Sequence, residues 1–439
     1  MTAPTEAPAG TSIDPTPDNR AADAERLARV RRRRYAAERR LRAYGIAAIT
    51  VAIGLLGVLL VTLVVGGWTA FTQTHIRVDF PIRTENVDPA APADGNFRRV
   101  MQEGVAALLP EAATSPRAAR DLAAMLTPNT QFLIRDAVIA DPALIGGTLT
   151  LTVPAADPYD QLNKGLVDRD TPEDSRRLTD TQIGWFDALV TQDRVTRPFN
   201  TALFLNPNSR FPEVAGLRGA LVGSFLALAV CFAISFPIGI AAAIYLEEFA
   251  PRNRFTDFIE VNINNLAAVP SIVFGLLGLA VLIQTFGMPR SSPLAGGTIL
   301  ALMTLPTIII VTRNALKAVP PSIREAGYGV GASRHQVVMH HVLPLAMPGI
   351  MTGTIIGLAH ALGETAPLLL IGMNAFITSA PTSVMDASTA MPTQIYIWAD
   401  SPERGFMSRT SAAILVLLGF LLVMNAIAIY LRQRLERTW

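Results

Sequence analysis

Glu364 is an acidic residue inside a long apolar segment, in the sequence Leu362-Gly-Glu-Thr-Ala-Pro367. If that segment crosses a membrane, the carboxylate is costly to bury, so it must face protein or water and have a partner. An ionised Glu364 could hold an arginine in place until an anion competes for that arginine. A desolvated Glu364 would instead stay neutral and donate a hydrogen bond. A third interpretation is a structural contact that only fixes helix packing.

Two more polar residues complete a candidate translocation path. Thr365 follows Glu364 directly, and Pro367 frees the backbone carbonyl of Gly363 beside the acid. Asn262 lies where another apolar segment begins. It either lines the path or is an ordinary polar residue at the membrane interface. We assign Glu364, Thr365 and Asn262 to the path.

Three histidines, His335, His340 and His341, lie close together in a polar stretch. They have no thiolate or carboxylate partner at metal-ligand spacing, so no metal site is predicted. No glycine-rich phosphate loop ending in Gly-Lys-Ser/Thr occurs in the sequence. The chain is therefore not expected to hydrolyse nucleotide itself, and no cofactor is predicted.

The composition is that of an integral membrane protein. Of 439 residues, 50% are hydrophobic and 16% are charged, whereas soluble domains carry about 25% charged residues. The sequence predicts an all-α polytopic protein with six transmembrane helices. The one cysteine, Cys231, excludes an intrachain disulfide.

The apolar segments and the charges between them give a domain organisation. Arginines precede the first segment and follow the last, so both termini are placed in the cytoplasm and no nucleic-acid partner is expected. The other predicted spans are Gly219–Leu246, Ile263–Phe286, Ala295–Val311, Met347–Met373 and Thr410–Leu431, and Trp398 and Tyr396 are possible interfacial aromatics in the loop before the last span. The predicted regions are a disordered basic tail (1–43), the first transmembrane helix (44–68), a periplasmic insert (69–217), the membrane core (218–431) and a cytoplasmic tail (432–439).

The insert between the first two helices is predicted to be a small α+β domain. Thr148 to Val153 alternates with period two and indicates a strand. Ser115 and Pro116 start a helix that runs to Leu126. A further helix over residues 180–190 places Ile183, Phe186, Leu189 and Val190 on one face.

The polar stretch 313–346 of the membrane core reads as a helix, an elbow and a second helix. Ser322 with Glu325, and Ser333 with Gln336, have the spacing of capping boxes. Glycines between them, Gly331 among them, supply the turn, and Pro344 is expected to end the second helix.

This stretch resembles the EAA loop of ABC-importer permeases. The similarity rests on Glu325-Ala326, on Gly331 and on Leu343-Pro344 at the spacing of that motif. The resemblance implies a cytoplasmic loop, with these five residues coupling the permease to a separate ATPase subunit.

Three further motifs resemble the phosphate-transport permeases, specifically the PstA-type subunit. They are Ala242–Phe249, Ile259–Gly278 and Ala361–Leu369. The resemblance implies the type I ABC-importer permease fold and a multi-pass protein of the bacterial inner membrane that is not an enzyme. It also implies a homologous second permease, an ATPase dimer, a periplasmic phosphate-binding protein, and inorganic phosphate as substrate. The family often has arginine where this chain has His360.

Small residues at four-residue spacing, Gly349, Gly353 and Gly357, form a ridge along the fifth span. Such ridges let two membrane helices approach closely. The neighbour is either the second permease or a helix of the same chain.

Other functions remain open on the residues alone. An ABC permease for another oxyanion, such as sulfate or molybdate, or for polyamines would carry the same loop. A secondary transporter would show inverted repeats with interrupted helices, and the sequence has no convincing internal repeat. A receptor would need a cytoplasmic output domain.

Overall fold

The computed structural model describes the backbone of residues 17–435 and the side chains of residues 30–434 except Leu431. The chain divides into two units between Thr62 and Leu63. The described part of the first unit is a single helix, the main part of α1 (Pro17–Trp68).

Helix α1 begins at Pro17, well before residue 44, where the first helix was predicted to start. Residues 17–43 were expected to be disordered, but they are helical and continuous with the apolar segment. The physical reason is that alanine, arginine, leucine and glutamate, which dominate this stretch, are strong helix formers and need no core to adopt a helix. Residues 1–16 of the predicted tail lie outside the described residues.

The insert begins after α1 and contains a three-stranded antiparallel sheet among the residues described. β1 (His75–Pro81) lies between β2 (Thr148–Pro154) and β3 (Val195–Thr196). Ile76, Val78 and Phe80 alternate along β1 and are buried. The insert helices are α2 (Phe97–Leu108), α3 (Pro116–Ala123), α4 (Thr130–Ala140), α5 (Asp157–Asn163), α6 (Asp180–Thr191) and α7 (Ala202–Leu205).

The three elements predicted for the insert are present, with two differences: the helix that starts at Pro116 ends at Ala123 and not at Leu126, and one residue of α6 is misplaced. β2 starts at Thr148, and Ser115 caps α3 by accepting a hydrogen bond from the Ala118 amide. Ile183 and Phe186 of α6 are buried as predicted, whereas Val190 is exposed. Val190 falls at the end of the helix, beyond the part that packs on the core.

A buried group of charges joins the insert to the last membrane helix; we call it the junction cluster. Its members are Asp157, Asp160, Lys164, Glu213 and Arg409. Lys164 Nζ lies 2.5 Å from an Asp160 oxygen, and Arg409 Nη1 donates to the Ala215 carbonyl at 2.6 Å. Burial raises the pKa of the Asp157 and Glu213 carboxyls and lowers that of the Lys164 ammonium. The insert is therefore fixed to the membrane core by desolvated charges.

The membrane core consists of ten helices within the described residues, some of them short. They are α8 (Arg218–Ile244), α9 (Arg254–Ala267), α10 (Ser271–Leu277), α11 (Pro293–Lys317), α12 (Pro321–Gly329), α13 (Arg334–Val337), α14 (Leu343–Gly363), α15 (Ala366–Leu370), α16 (Met391–Ala399) and α17 (Gly405–Leu435). Tyr245–Phe249, Gly278–Thr285 and Val338–Val342 are π-helical. Helix α11 is central because it packs against both α8 and α14.

In the part of the chain that the structure describes, five helices are long and apolar enough to cross a membrane, and a sixth crossing is possible as a broken pair. The third predicted span is that pair. Helices α9 and α10 meet at an angle of 102°. Pro270 is the cause, since it lacks an N–H and disfavours helix in the residue before it.

Three more predictions about the core are corrected. The fifth span ends at Gly363, not Met373, because the chain becomes extended at Glu364. The last helix continues past residue 431 to Leu435. Trp398 is not interfacial: it is 2% exposed and its indole N–H donates to Asn208 at 3.1 Å. An indole with a buried acceptor gains nothing from the membrane surface. Tyr396 is exposed.

Candidate coupling loop and translocation path

The polar stretch after α11 folds as an elbow between two helices. Helix α12 is followed by Gly331 at φ +82° and then by Ser333, which caps the next helix. Ser333 and Gln336 exchange hydrogen bonds between each side chain and the other's backbone N–H, at 3.3 and 2.9 Å, so this predicted capping box is confirmed. Only glycine adopts the left-handed conformation at Gly331 without strain.

The first predicted capping box is wrong. Helix α12 begins at Pro321, its N-cap is Pro320, and no side chain caps it. Ser322 therefore lies inside the first turn of the helix. Pro321 in helical conformation starts the helix two residues earlier than Ser322 would as an N-cap, since Ile323 would then be the first helical residue.

One face of the elbow is packed against the membrane helices. Val337 and Val342 are buried with Leu316 and Val319 of the α11 end. A Cβ added to Gly327 would lie 2.8 Å from Val337 Cγ2. The two arms of the elbow therefore touch at Gly327, where alanine would not fit without a shift of Val337.

The other face of the elbow, which we call the outer face, is exposed. It carries Glu325, Ala326 and the glycine of the turn, together with apolar side chains. Val330 is 84% exposed, and Tyr328 is exposed beside it. Within residues 30–434, Glu325 has no ion-pair partner. The outer face therefore leaves Glu325, Tyr328 and Val330 accessible to another molecule.

Arg324 fastens the elbow, and the sequence analysis missed it. Its Nη2 donates to Glu248 at 2.7 Å and to the Leu316 carbonyl at 2.9 Å, and its Nη1 donates to the Val319 carbonyl at 2.8 Å. The Leu316 carbonyl lies in the last turn of α11 and also accepts the Val319 amide at 3.2 Å, and the Val319 carbonyl lies just beyond the helix end. The signal for this contact was the acidic pair Glu247-Glu248 directly after an apolar segment.

A second set of ion pairs surrounds this contact. Arg313 of α11 lies 2.6 Å from Glu260 of α9 and 3.3 Å from Glu247. Lys317 lies 3.5 Å from Glu247. The ends of α8, α9 and α11 are thus tied together directly behind the elbow.

Leu343 and Pro344 lie apart from the outer face. Both are half-buried, and the helix passes through them from Arg334 to Gly363. Pro344 was expected to end this helix. The π-helical turn Val338–Val342 immediately before it changes the hydrogen-bond register, which is how a helix accommodates a residue without an N–H. Of the five predicted coupling residues, the outer face thus brings together Glu325, Ala326 and Gly331.

Glu364 lies at the break between α14 and α15. The partner of its carboxylate is His360, with Nε2 3.1 Å from Oε1, and not an arginine. Glu364 is mostly buried, with 17% of its side chain exposed, whereas His360 is 70% exposed. The pair is one helical turn apart, so the residue at position 360 reaches the acid without any movement of the backbone.

The helix break at Glu364 packs against the broken third span. A Cβ on Gly275 of α10 would lie 2.7 Å from Pro367 of α15, so the two short helices touch closely. The Thr365 hydroxyl donates to the Gly363 carbonyl at 3.3 Å, so this carbonyl at the helix break has a hydrogen-bond donor. Irregular backbone at membrane depth is tolerated only in contact with protein or with a water-filled cavity. Two such breaks side by side mark this region as a candidate path.

Asn262 is not joined to that region by any contact within the described residues. It is exposed on α9, and its side chain donates to the Phe258 carbonyl of the same helix at 2.7 Å. The structure therefore brings Glu364 and Thr365 together and leaves Asn262 apart.

The glycine ridge faces α11 of the same chain for two of its three members. A Cβ on Gly349 would lie 2.9 Å from Ala315 Cβ, and one on Gly353 would overlap Val311. A Cβ on Gly357 would meet nothing within 4 Å. The ridge therefore lets α14 approach α11.

Two families match the chain. Residues 235–437 match the family described as binding-protein-dependent transport system inner membrane component. Residues 28–173 match a domain of unknown function, DUF3333. The first match covers the first apolar helix and the larger part of the insert, the second covers most of the membrane core, and residues 174–234 lie between them.

Several curated proteins are similar to the chain. The phosphate transport system permease protein PstA of Yersinia pestis is 32% identical over 213 residues, which are 48% of this chain and 71% of that protein. The probable ABC transporter permease proteins YqgH and YqgI of Bacillus subtilis are 34% and 35% identical. Those two alignments cover 44% and 35% of this chain. The chain spans 64% of the length of YqgH and 52% of that of YqgI.

Proposed function

We propose that this chain, which belongs to the family of binding-protein-dependent transport system inner membrane components, is the permease subunit of an ATP-driven phosphate importer. The observation that carries the proposal is the similarity of its membrane core to phosphate transport permeases at 32% identity. In this proposal the chain forms half of the translocation path and pairs with a homologous permease. ATP is hydrolysed by a separate ATPase dimer, and a periplasmic phosphate-binding protein delivers the substrate.

The elbow supports the coupling part of this proposal. Its outer face presents Glu325, Ala326 and Val330 on a turn that Gly331 and Arg324 hold in shape. Motion of a docked ATPase would reach α8, α9 and α11 through the ion pairs behind the elbow. Leu343 and Pro344 are half-buried and would not touch the ATPase; they would transmit its motion along the helix that leads from the elbow to Glu364.

Opposite ends of the membrane core carry the elbow and the insert, which supports the proposed topology. Helix α8 starts directly after the insert, at Arg218, and the turn that follows its other end carries Glu248, which accepts from Arg324 of the elbow at 2.7 Å. We assign the elbow and both termini to the cytoplasm and the insert to the periplasm of a bacterial inner membrane. This follows the arginines that flank the outer spans.

Thiol labelling of intact spheroplasts tests the topology. Cys231 is buried, so an introduced cysteine reports its own position. Glu111→Cys in the insert should react with a membrane-impermeant reagent, and Glu325→Cys in the elbow should react only after permeabilisation. The reverse pattern would invert the assignment.

Uptake by the assembled complex in proteoliposomes tests the substrate. We expect labelled phosphate to accumulate with ATP inside the vesicles, and excess sulfate, molybdate or polyamine to leave that uptake unchanged. Uptake of one of these competitors in place of phosphate would assign the chain to another ABC importer.

The His360–Glu364 pair is the part of the path that can be tested most directly. We expect Glu364→Ala and His360→Ala each to lower phosphate uptake, since each leaves the other side chain without its partner. Glu364→Gln keeps the shape and removes the charge. Normal uptake by this variant would show that a hydrogen bond between residues 360 and 364 is enough, and lost uptake would show that an ion pair is needed. If all three variants transport normally, the pair has no part in the path.

A further inference from the structure

The insert contains a cavity of about 180 Å³ that the proposed transport function does not use. It lies where the segment leading into α6 meets the end of α5 and the residue before α17. The charged residues of its wall are Arg176, Arg177, Arg404 and Asp168. Gln161 and Ser175 add further hydrogen-bonding groups.

Arg176 has an unused donor at this cavity. Its side chain is only 6% exposed. One end of its guanidinium is occupied, because Nη1 donates to the Arg169 carbonyl at 3.1 Å and Nη2 donates to Asp180. Its Nε is buried and has no acceptor within the described residues. Leaving a buried charged donor without an acceptor is unfavourable, so Arg176 retains the capacity to donate one more hydrogen bond.

The other two arginines are available to a ligand. Arg177 is half-exposed, and its acidic contact, Asp157, is 3.9 Å away, beyond hydrogen-bonding distance. Arg404 is exposed and has no ion pair among residues 30–434. Asp168 is the acidic residue of the wall, and one of its oxygens accepts the Asp170 amide. The wall of the cavity thus holds three guanidinium groups and one carboxylate, while Asp180 and Asp157 lie against Arg176 and Arg177 from outside the wall.

We propose that this cavity binds a phosphate group. Guanidinium groups present planar pairs of donors that match the oxygens of phosphate, and several converging arginines are the usual way proteins bind it. Two sources of the group fit the position: free inorganic phosphate outside the membrane, or the headgroup of an anionic lipid, because Arg404 directly precedes the membrane helix α17. The site is independent of which solute the permease carries.

Thermal unfolding of the purified full chain in detergent tests the site. Inorganic phosphate, added at constant ionic strength against chloride, should raise the unfolding temperature with saturation, since a ligand that binds the folded state stabilises it. Arg177→Gln and Arg404→Gln should each weaken the apparent affinity about tenfold, the usual effect of losing one charge-assisted hydrogen bond. Arg117→Gln, an exposed arginine elsewhere on the insert, is the matched control and should bind as the wild type.

Lipid analysis separates the two sources. If the headgroup is the ligand, mass spectrometry should find anionic lipid retained by the wild type and by Arg117→Gln, but lost from the other two variants. Either phosphate stabilisation or this lipid pattern supports the site. Unchanged affinity in both cavity variants, or neither phosphate stabilisation nor retained lipid in the wild type, overturns it. Failure of phosphate uptake by the assembled complex would not affect these measurements, so the two proposals fail separately.

Discussion

The two ends of the membrane core are both held by an arginine, but in opposite ways. At the insert end, Arg409 is buried and belongs to the junction cluster. At the elbow end, Arg324 closes the inner face of a loop whose outer face stays exposed. This difference indicates that the insert end is a permanent joint closed by buried charges, whereas the elbow end is a fixed loop with one exposed face, on which we propose that the ATPase docks. Changes at the first should therefore cost stability, and changes at the second should mainly cost coupling.

The largest expected effect is at the permanent joint. Arg409→Met removes the cation that faces three carboxylates and leaves the Ala215 carbonyl without its donor. Leaving a buried acceptor without its donor costs about 1–3 kcal/mol, and the three carboxylates also lose a nearby positive charge. We expect a strongly lowered unfolding temperature in detergent, while Arg98→Met, an exposed arginine of α2, should unfold as the wild type. If the two variants unfold alike, the insert end is no more fixed than the surface.

The turn of the elbow should give the next largest effect. Gly331→Leu forces a side chain into a left-handed conformation, which costs about 1–2 kcal/mol. We expect transport-coupled ATP hydrolysis to fall while membrane insertion is kept. Gly329→Ala is the matched control, because Gly329 is helical and a Cβ there meets nothing within 4 Å. Equal coupling in both variants would show that the shape of the turn is unimportant.

A smaller effect separates the two serines that the sequence treats alike. Ser333→Ala loses the cap of the second arm, worth about 1 kcal/mol, and should partly lower coupled ATP hydrolysis. Ser322→Ala removes no cap and should behave as the wild type. A defect in Ser322→Ala alone would mean that α12 starts differently in the assembled complex.

The smallest expected effect is a dependence of insert stability on pH. Burial lowers the pKa of the His75 imidazole below its ordinary value of 6.5. The unfolded chain therefore binds the proton first, so the stability that His75 contributes is complete above the ordinary pKa and is lost as the pH falls below it.

Comparing unfolding temperatures of wild type and His75→Gln between roughly pH 8 and pH 5 isolates this contribution. The raised pKa values of Asp157 and Glu213 act in the opposite direction and are common to both proteins. We expect the wild type to lose more stability in acid than the variant. Parallel curves would exclude His75 as the source.

Sequence patterns predicted the features that depend on local chemistry. The capping box at Ser333, the turn at Gly331 and the strand at Thr148 each follow from a few neighbouring residues, and the structure has them. The family of the membrane core was also evident, because its motifs are continuous in sequence.

The features that could not be predicted from the sequence depend on contacts between distant segments. The partner of Glu364 was not predictable, since an acid in a span accepts several partners and only the helix end at Gly363 selects His360. The contacts of Arg324 were missed because the acidic pair Glu247-Glu248 does not indicate which basic residue it binds, and the other acceptors of Arg324 are backbone carbonyls. The bend at Pro270 was missed because a proline within an apolar run kinks some spans and breaks others.

The junction cluster also sets an order of events during synthesis of the chain. During translation, Asp157, Asp160 and Glu213 are added to the chain long before Arg409, which belongs to the last membrane helix. Until α17 is in place, these acids lack one of the cations that face them, and the base of the insert cannot close. Completion of the insert thus depends on insertion of the last membrane helix.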